Sequence, residues 1–144
     1  MTKPLTPSLP CMCASLRRAS RALTQLYEDA LRPVGLRATQ FTILQTLSLA
    51  GEVTQGELGQ ILAMDSTTLT RTLTVMGRHG WIAKQRGEDR REWRMRLSKT
   101  GETTFKQALP YWEKAQTRLR RQLGDELSDN LMKLTQKVTN ALID

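Results

Sequence analysis

One stretch of this chain alternates, while the segments around it repeat with a helical period. Trp93, Met95 and Leu97 are apolar on every second position, with Arg94 and Arg96 between them, the pattern of a strand with one face covered. Ile82 leads a matching strand upstream, and Gly87-Glu88-Asp89-Arg90-Arg91 is the turn that joins the two. An isolated hairpin is marginal in water. This one must therefore lie against the helices that the rest of the chain predicts, with an arginine-rich tip projecting from them.

From Cys11 to Arg32, the residues Leu16, Ala19, Leu23, Leu26 and Ala30 recur at three and four positions as one helical stripe, which Pro33 and Gly35 end. A second helix is predicted from about Thr39 to Ala50, with Phe41, Leu44 and Leu47 inward and Gly51 as its stop. Thr54-Gln55-Gly56-Glu57 is a capping box that opens a short helix to about Ala63, with Val53 and Leu58 placed for a hydrophobic staple. Asp65 caps the next helix, whose buried stripe is Leu69, Leu73 and Met76. That leaves Ser66, Thr67, Thr70, Arg71 and Thr74 outward, where a solvent face would ordinarily carry Glu and Lys. The threonines at 67, 68, 70 and 72 disfavour helix, and their short hydroxyls suit close approach to a phosphate or a base edge. Gly80 ends this helix.

Ser98 caps a long helix with apolar positions Phe105, Leu109, Trp112, Ala115, Leu119 and Leu123; Pro110 inside it is expected to kink it. After Gly124 a last helix carries Leu127, Leu131, Leu134, Val138 and Leu142. The terminal helices show narrow, heptad-like stripes flanked by charge, which favours burial against a second copy. The fold expected is mainly α with a small β-hairpin wing. A winged helix-turn-helix over 39–97 lies between dimerisation helices over 11–38 and 98–144, after a disordered lead over 1–10.

Charge points to a polyanionic partner. The formal net charge is +8 and the pI about 10.1; Asp65 to Leu97 holds eight Lys or Arg against four acids, half of the surplus. A small polar helix can enter a major groove while an arginine-tipped turn reaches phosphates or the adjacent minor groove, so double-stranded DNA is the expected partner. The same face without specific DNA binding would be a protein–protein module, for which an arginine-tipped wing is not needed. A single histidine, His79, and no paired-carboxylate or Ser/His/Asp arrangement leave little for catalysis; no enzyme activity and no cofactor are expected. No apolar run exceeds four residues, and prolines at 4, 7 and 10 replace an apolar leader. The expectation is a cytoplasmic chain with no membrane span.

The order of elements resembles the MarR family of bacterial regulators. Asp89-Arg90-Arg91 followed by Leu97-Ser98-Lys99-Thr100-Gly101 looks like the family's wing and the start of its long dimer helix. Met64-Asp65-Ser66-Thr67-Thr68-Leu69-Thr70-Arg71 is similar to its recognition-helix opening. The resemblance runs from about Leu16 to the C-terminus. It implies an intertwined homodimer, a pseudo-palindromic operator, regulation as a repressor, and affinity lowered by a small ligand or by thiol oxidation.

The residues take physical roles within that frame. Arg90 or Arg91 would enter a narrow minor groove, where the negative potential attracts arginine, with Asp89 bracing one of them by an ion pair. Ser66 and Thr67 would hold a phosphate with the backbone amides at the helix start. Thr68 and Arg71 are placed for base edges, Arg71 toward guanine, with a phosphate contact as the other reading. Two-fold symmetry sets half-sites about one turn apart, ~10 bp centre to centre.

The thiols Cys11 and Cys13 flank the start of the first helix. Metal binding is the weakest reading, because residues two apart on a helix point about 200° away from each other. A helix N-terminus and Arg17, one turn beyond Cys13, would both favour thiolate. Cys13 to Tyr27 also resembles the organic-hydroperoxide-sensing branch of the family, in which tyrosines hydrogen-bond an early cysteine. Two other tyrosine positions of that site are Arg17 and Ala38 here. Tyr27 and Trp112 are candidate walls of a pocket for a small aromatic ligand.

Overall fold

The computed structural model describes residues 9–143. Eight of the ten positions read above as a lead fall outside that range. Six α-helices and three short strands follow in chain order: α1 (Met12–Leu31), α2 (Ala38–Ala50), β1 (Val53–Thr54), α3 (Gln55–Leu62), α4 (Ser66–Arg78), β2 (Ile82–Arg86), β3 (Trp93–Leu97), α5 (Lys99–Leu123) and α6 (Asp125–Leu142). A 3-10 turn at Arg32–Val34 carries the chain from α1 toward α2.

Local chemistry sets most helix starts. Thr54 and Glu57 exchange reciprocal hydrogen bonds, the Thr54 hydroxyl accepting from the Glu57 amide at 3.1 Å and the Glu57 carboxylate from the Thr54 amide at 2.8 Å. The Asp65 carboxylate accepts from the Thr68 amide at 2.8 Å, and the Ser98 hydroxyl from the Gly101 amide at 3.0 Å.

Val53 is a correction to the reading of a staple alone: with Thr54 it forms a third strand. The sheet order is β1-β3-β2, antiparallel, with Val53 opposite Met95 and Ile82 opposite Leu97. Adding β1 pairs the second edge of β3 and anchors the hairpin's base to the helices.

The core is concentrated in the winged unit. Phe41, Ile43, Leu44 and Leu47 of α2 meet Leu58 of α3, Leu69, Leu73 and Met76 of α4, Val53, Met95 and Trp81. Leu31 at the end of α1 and Ala108 of α5 complete it. Phe105, Leu109 and Trp112 of the α5 stripe pack on this core, but the start of the α1 stripe and most of the α6 stripe are not covered in the single chain. Leu16 is 46 % exposed, Leu127 54 %, Leu134 62 % and Leu142 78 %. Pro110 lies within a continuous α5.

Candidate nucleic-acid interface

α4 presents Thr67, Thr70, Arg71 and Thr74 on one exposed stripe, opposite buried Leu69, Leu73 and Met76. Asp65 holds its first turn, and the carboxyl sits below its ordinary pKa because the Thr68 amide and hydroxyl both donate to it. Thr68, expected to reach a base edge, thus has its hydroxyl committed to the cap at 2.8 Å. The Thr70 hydroxyl donates to the Ser66 carbonyl at 2.7 Å and accepts from Gln55 Nε2 at 2.9 Å, which ties α3 to α4. Thr72 and Thr74 donate to the carbonyls of Thr68 and Thr70 at 3.0 and 2.8 Å. Ser66, Thr67 and Arg71 are exposed, and among the described residues their side chains have no protein partner.

The wing is built to hold its tip. Ile82, Lys84 and Arg86 share a face with Leu97, Met95 and Trp93, their cross-strand partners. That apolar face runs past the core, and Trp93 at its end is 37 % exposed. The Arg86 guanidinium lies 4.3 Å from the Trp93 ring centre and the Lys84 ammonium 5.8 Å from it, so cationic side chains cover the last aromatic surface. Arg86 also donates to the Arg90 carbonyl.

Asp89 acts differently from the expected ion pair. Its carboxylate accepts from the Arg91 backbone N–H at 3.0 Å, and its carbonyl accepts from the Glu92 amide at 2.9 Å. An Asx-type turn therefore shapes the tip through the main chain. The guanidinium groups of Arg90 and Arg91 remain exposed, with no partner among the described residues. At the wing's base, Arg94 Nε meets Glu52 Oε1 at 2.6 Å, and that hydrogen bond raises the arginine's pKa.

A joint missed in the sequence links the reading elements to α5. The Trp81 carbonyl accepts from the Ser98 amide at 3.1 Å, and the Ser98 hydroxyl donates to the Gly80 carbonyl at 2.5 Å. A Cβ on Gly101 would lie 2.0 Å from the Trp81 carbonyl oxygen, so only glycine fits. His79 stacks on Trp81 with ring centres 4.3 Å apart. The glycine three residues past a capping serine was the available signal.

The cysteines flank the start of α1, where the sequence places them. Cys11 is the N-cap of α1, its Sγ accepting from the Ala14 amide at 3.4 Å, and Cys13 lies inside the first turn. Both are free and exposed. Tyr27 is half-buried and donates its hydroxyl to Gln116 Oε1 of α5, and burial raises its pKa. Tyr27, Trp112, Phe41, Leu31 and Ala38 line a cavity of about 220 Å³ between α1, α2 and α5. Trp112 stacks on Phe41 with ring centres 5.6 Å apart. The two residues expected to wall a pocket therefore share one, whereas the structure does not bring Tyr27 to either cysteine within the chain.

A short α3, a polar α4 leading into an arginine-tipped hairpin, and helices on both flanks define a winged helix-turn-helix protein. The MarR family profile matches residues 36–93. The M. tuberculosis transcriptional regulator MosR, solved in complex with DNA, is 35 % identical with a TM-score of 0.80, over 92 % of this chain and 99 % of that one. An uncharacterized HTH-type transcriptional regulator of Bacillus subtilis, YwoH, is 29 % identical over 92 residues, 64 % of this chain and 67 % of that protein. The multiple antibiotic resistance protein MarR of Salmonella typhimurium is 37 % identical over 60 residues, 42 % of each chain. The chain belongs to the MarR family of transcriptional regulators, which are not enzymes. Among the described residues, no helix is long and apolar enough to cross a membrane.

Proposed function

We propose that the chain works as a homodimeric repressor that binds a pseudo-palindromic DNA operator. The observation that carries this reading is the pairing of two exposed cationic readers, Arg71 on the α4 stripe and Arg90–Arg91 on a braced wing. The stripe suits a major groove, and the wing tip suits the neighbouring minor groove. Ser66 and Thr67, with unengaged hydroxyls at the start of α4, suit a phosphate. The uncovered stripes of α1 and α6 support a second copy as the partner, which places the readers about one helical turn apart, ~10 bp centre to centre. MosR, similar over nearly its whole length, is itself solved with DNA.

Affinity for the operator would be lowered by an effector. The cavity between Tyr27 and Trp112 is apolar apart from a few hydroxyl and amide groups, which suits a small aromatic ligand. The exposed thiols of Cys11 and Cys13, with Arg17 near them in sequence, support oxidation as the second route. An interaction module that did not bind DNA would leave the exposed arginines of the tip unexplained.

Selection of duplexes from a random pool, followed by sedimentation of the complex, tests the function. The expected result is a two-fold-symmetric sequence bound by two chains. Recovery of no preferred sequence, or a folded monomer at micromolar concentration, overturns it. Operator affinity measured before and after oxidation of each thiol, confirmed by mass spectrometry, separates the two effector routes.

A further inference from the structure

We propose that α4 reads A·T base pairs through the methyl groups and the hydroxyl lone pairs of Thr70 and Thr74, which flank Arg71. The inference rests on the reading of α4 as the major-groove helix. A hydroxyl has one hydrogen to donate. Thr70 commits its hydrogen to the Ser66 carbonyl at 2.7 Å, and Thr74 to the Thr70 carbonyl at 2.8 Å. Thr70 further fills one lone pair with Gln55 Nε2 at 2.9 Å. What these two exposed residues can offer outward is a methyl group and an acceptor, and neither can donate without breaking a bond to its own helix. Val75, 38 % exposed four residues after Arg71, adds two more methyls beside the stripe.

The major groove has one pair that matches such a surface. Thymine carries the C5-methyl, and its partner adenine carries an amino donor; cytosine offers an amino donor without a methyl, and guanine presents only acceptors. Acceptor facing acceptor is unfavourable, so guanine is left to Arg71. The preferred half-site should therefore place A·T pairs on either side of the position that Arg71 contacts.

The test starts from the duplex selected as preferred by the wild-type protein, with uracil then replacing thymine throughout to delete only the C5-methyl. Affinity for the uracil duplex should fall by about fourfold per contacted methyl, the loss expected for one buried methyl-sized group. Thr70→Ser and Thr74→Ser keep the hydroxyl bonds and remove the methyl. Each should weaken binding to the thymine duplex by a similar factor and narrow the difference between thymine and uracil. Equal wild-type affinity for the two duplexes overturns the proposal, as does a preferred half-site with only G·C pairs. Serine variants that retain the full thymine preference overturn the assignment to Thr70 and Thr74. Failure to select any sequence would instead overturn the operator reading beneath it.

Discussion

The winged unit and the last helix, α6, use their leucines to opposite ends. Leu44, Leu58, Leu69 and Leu73 are at most 1 % exposed, whereas Leu127, Leu134 and Leu142 are all more than half exposed. Those four winged-unit leucines meet residues from elsewhere in their own chain, whereas Leu49, on the outer face of α2, is exposed. The α6 leucines face outward from a helix that packs chiefly on α5. One region has its core filled within a single chain, and the other, on the proposed reading, is half of a surface. Stability of the first should be independent of protein concentration, and stability of the second should follow it.

Leu73→Ala should remove about 2–5 kcal/mol by opening a cavity in the filled region. Leu134→Glu should leave the winged unit folded and shift the sedimentation profile from dimer to monomer. Denaturant melts at two protein concentrations check the pair. A concentration-dependent midpoint shift for Leu73→Ala, or an unaltered dimer for Leu134→Glu, breaks the contrast.

Gly101→Ala probes the seam between the regions. Its methyl would meet the Trp81 carbonyl oxygen at 2.0 Å, so overpacking should destabilise by about 1–3 kcal/mol. Thermal melting measures that loss, and a neutral result would mean that the seam yields.

Within the reading surface, Arg90→Ala and Arg91→Ala should each reduce the log–log salt slope of DNA binding by about 0.9 for every phosphate the arginine neutralises. Arg86→Ala should lower affinity with less change in slope, because Arg86 holds Trp93 and the Arg90 carbonyl. Equal slopes for all three variants would make Arg86 a DNA-binding side chain instead of a brace.

The smallest effect is the cap of α4. Asp65 has its pKa lowered in the folded chain, first by the Thr68 amide and then by the Thr68 hydroxyl. The stabilisation is therefore present above the unfolded carboxyl's value of about 3.9 and is lost as pH falls through the lower folded value. Following the Thr68 amide by NMR down the acid limb should show that loss, while Asp65→Asn, which caps without titrating, should show none.

What could be read from sequence was what is local. The caps at Thr54, Asp65 and Ser98 depend on residues three apart, and the buried stripe of α4 depends on a repeat within one helix. Both appear in the structure where the pattern places them. What could not be read joins distant residues or depends on where one hydrogen goes. Glu52 meets Arg94 across 42 positions, and β1 is two residues long, visible only through its pairing with β3. Residue type marks Asp89 and the α4 threonines as polar groups suited to DNA. It does not reveal that Asp89 takes a backbone amide or that the hydroxyls of Thr70 and Thr74 give their hydrogens to their own helix.

Backbone meets backbone where Gly101 sits under the Trp81 carbonyl, and main chain cannot swing aside as a side chain can. The junction is a weld and not a bearing. α4, the wing and the first turn of α5 are therefore expected to move together as one head. Any compliance is expected further along the shaft, at Pro110 inside α5, which has no N–H to give to the helix ladder. That point lies about 14 Å up the helix axis from the weld. In the proposed dimer a degree of bend there would swing the whole head, and the spacing between two heads would be set far from either one.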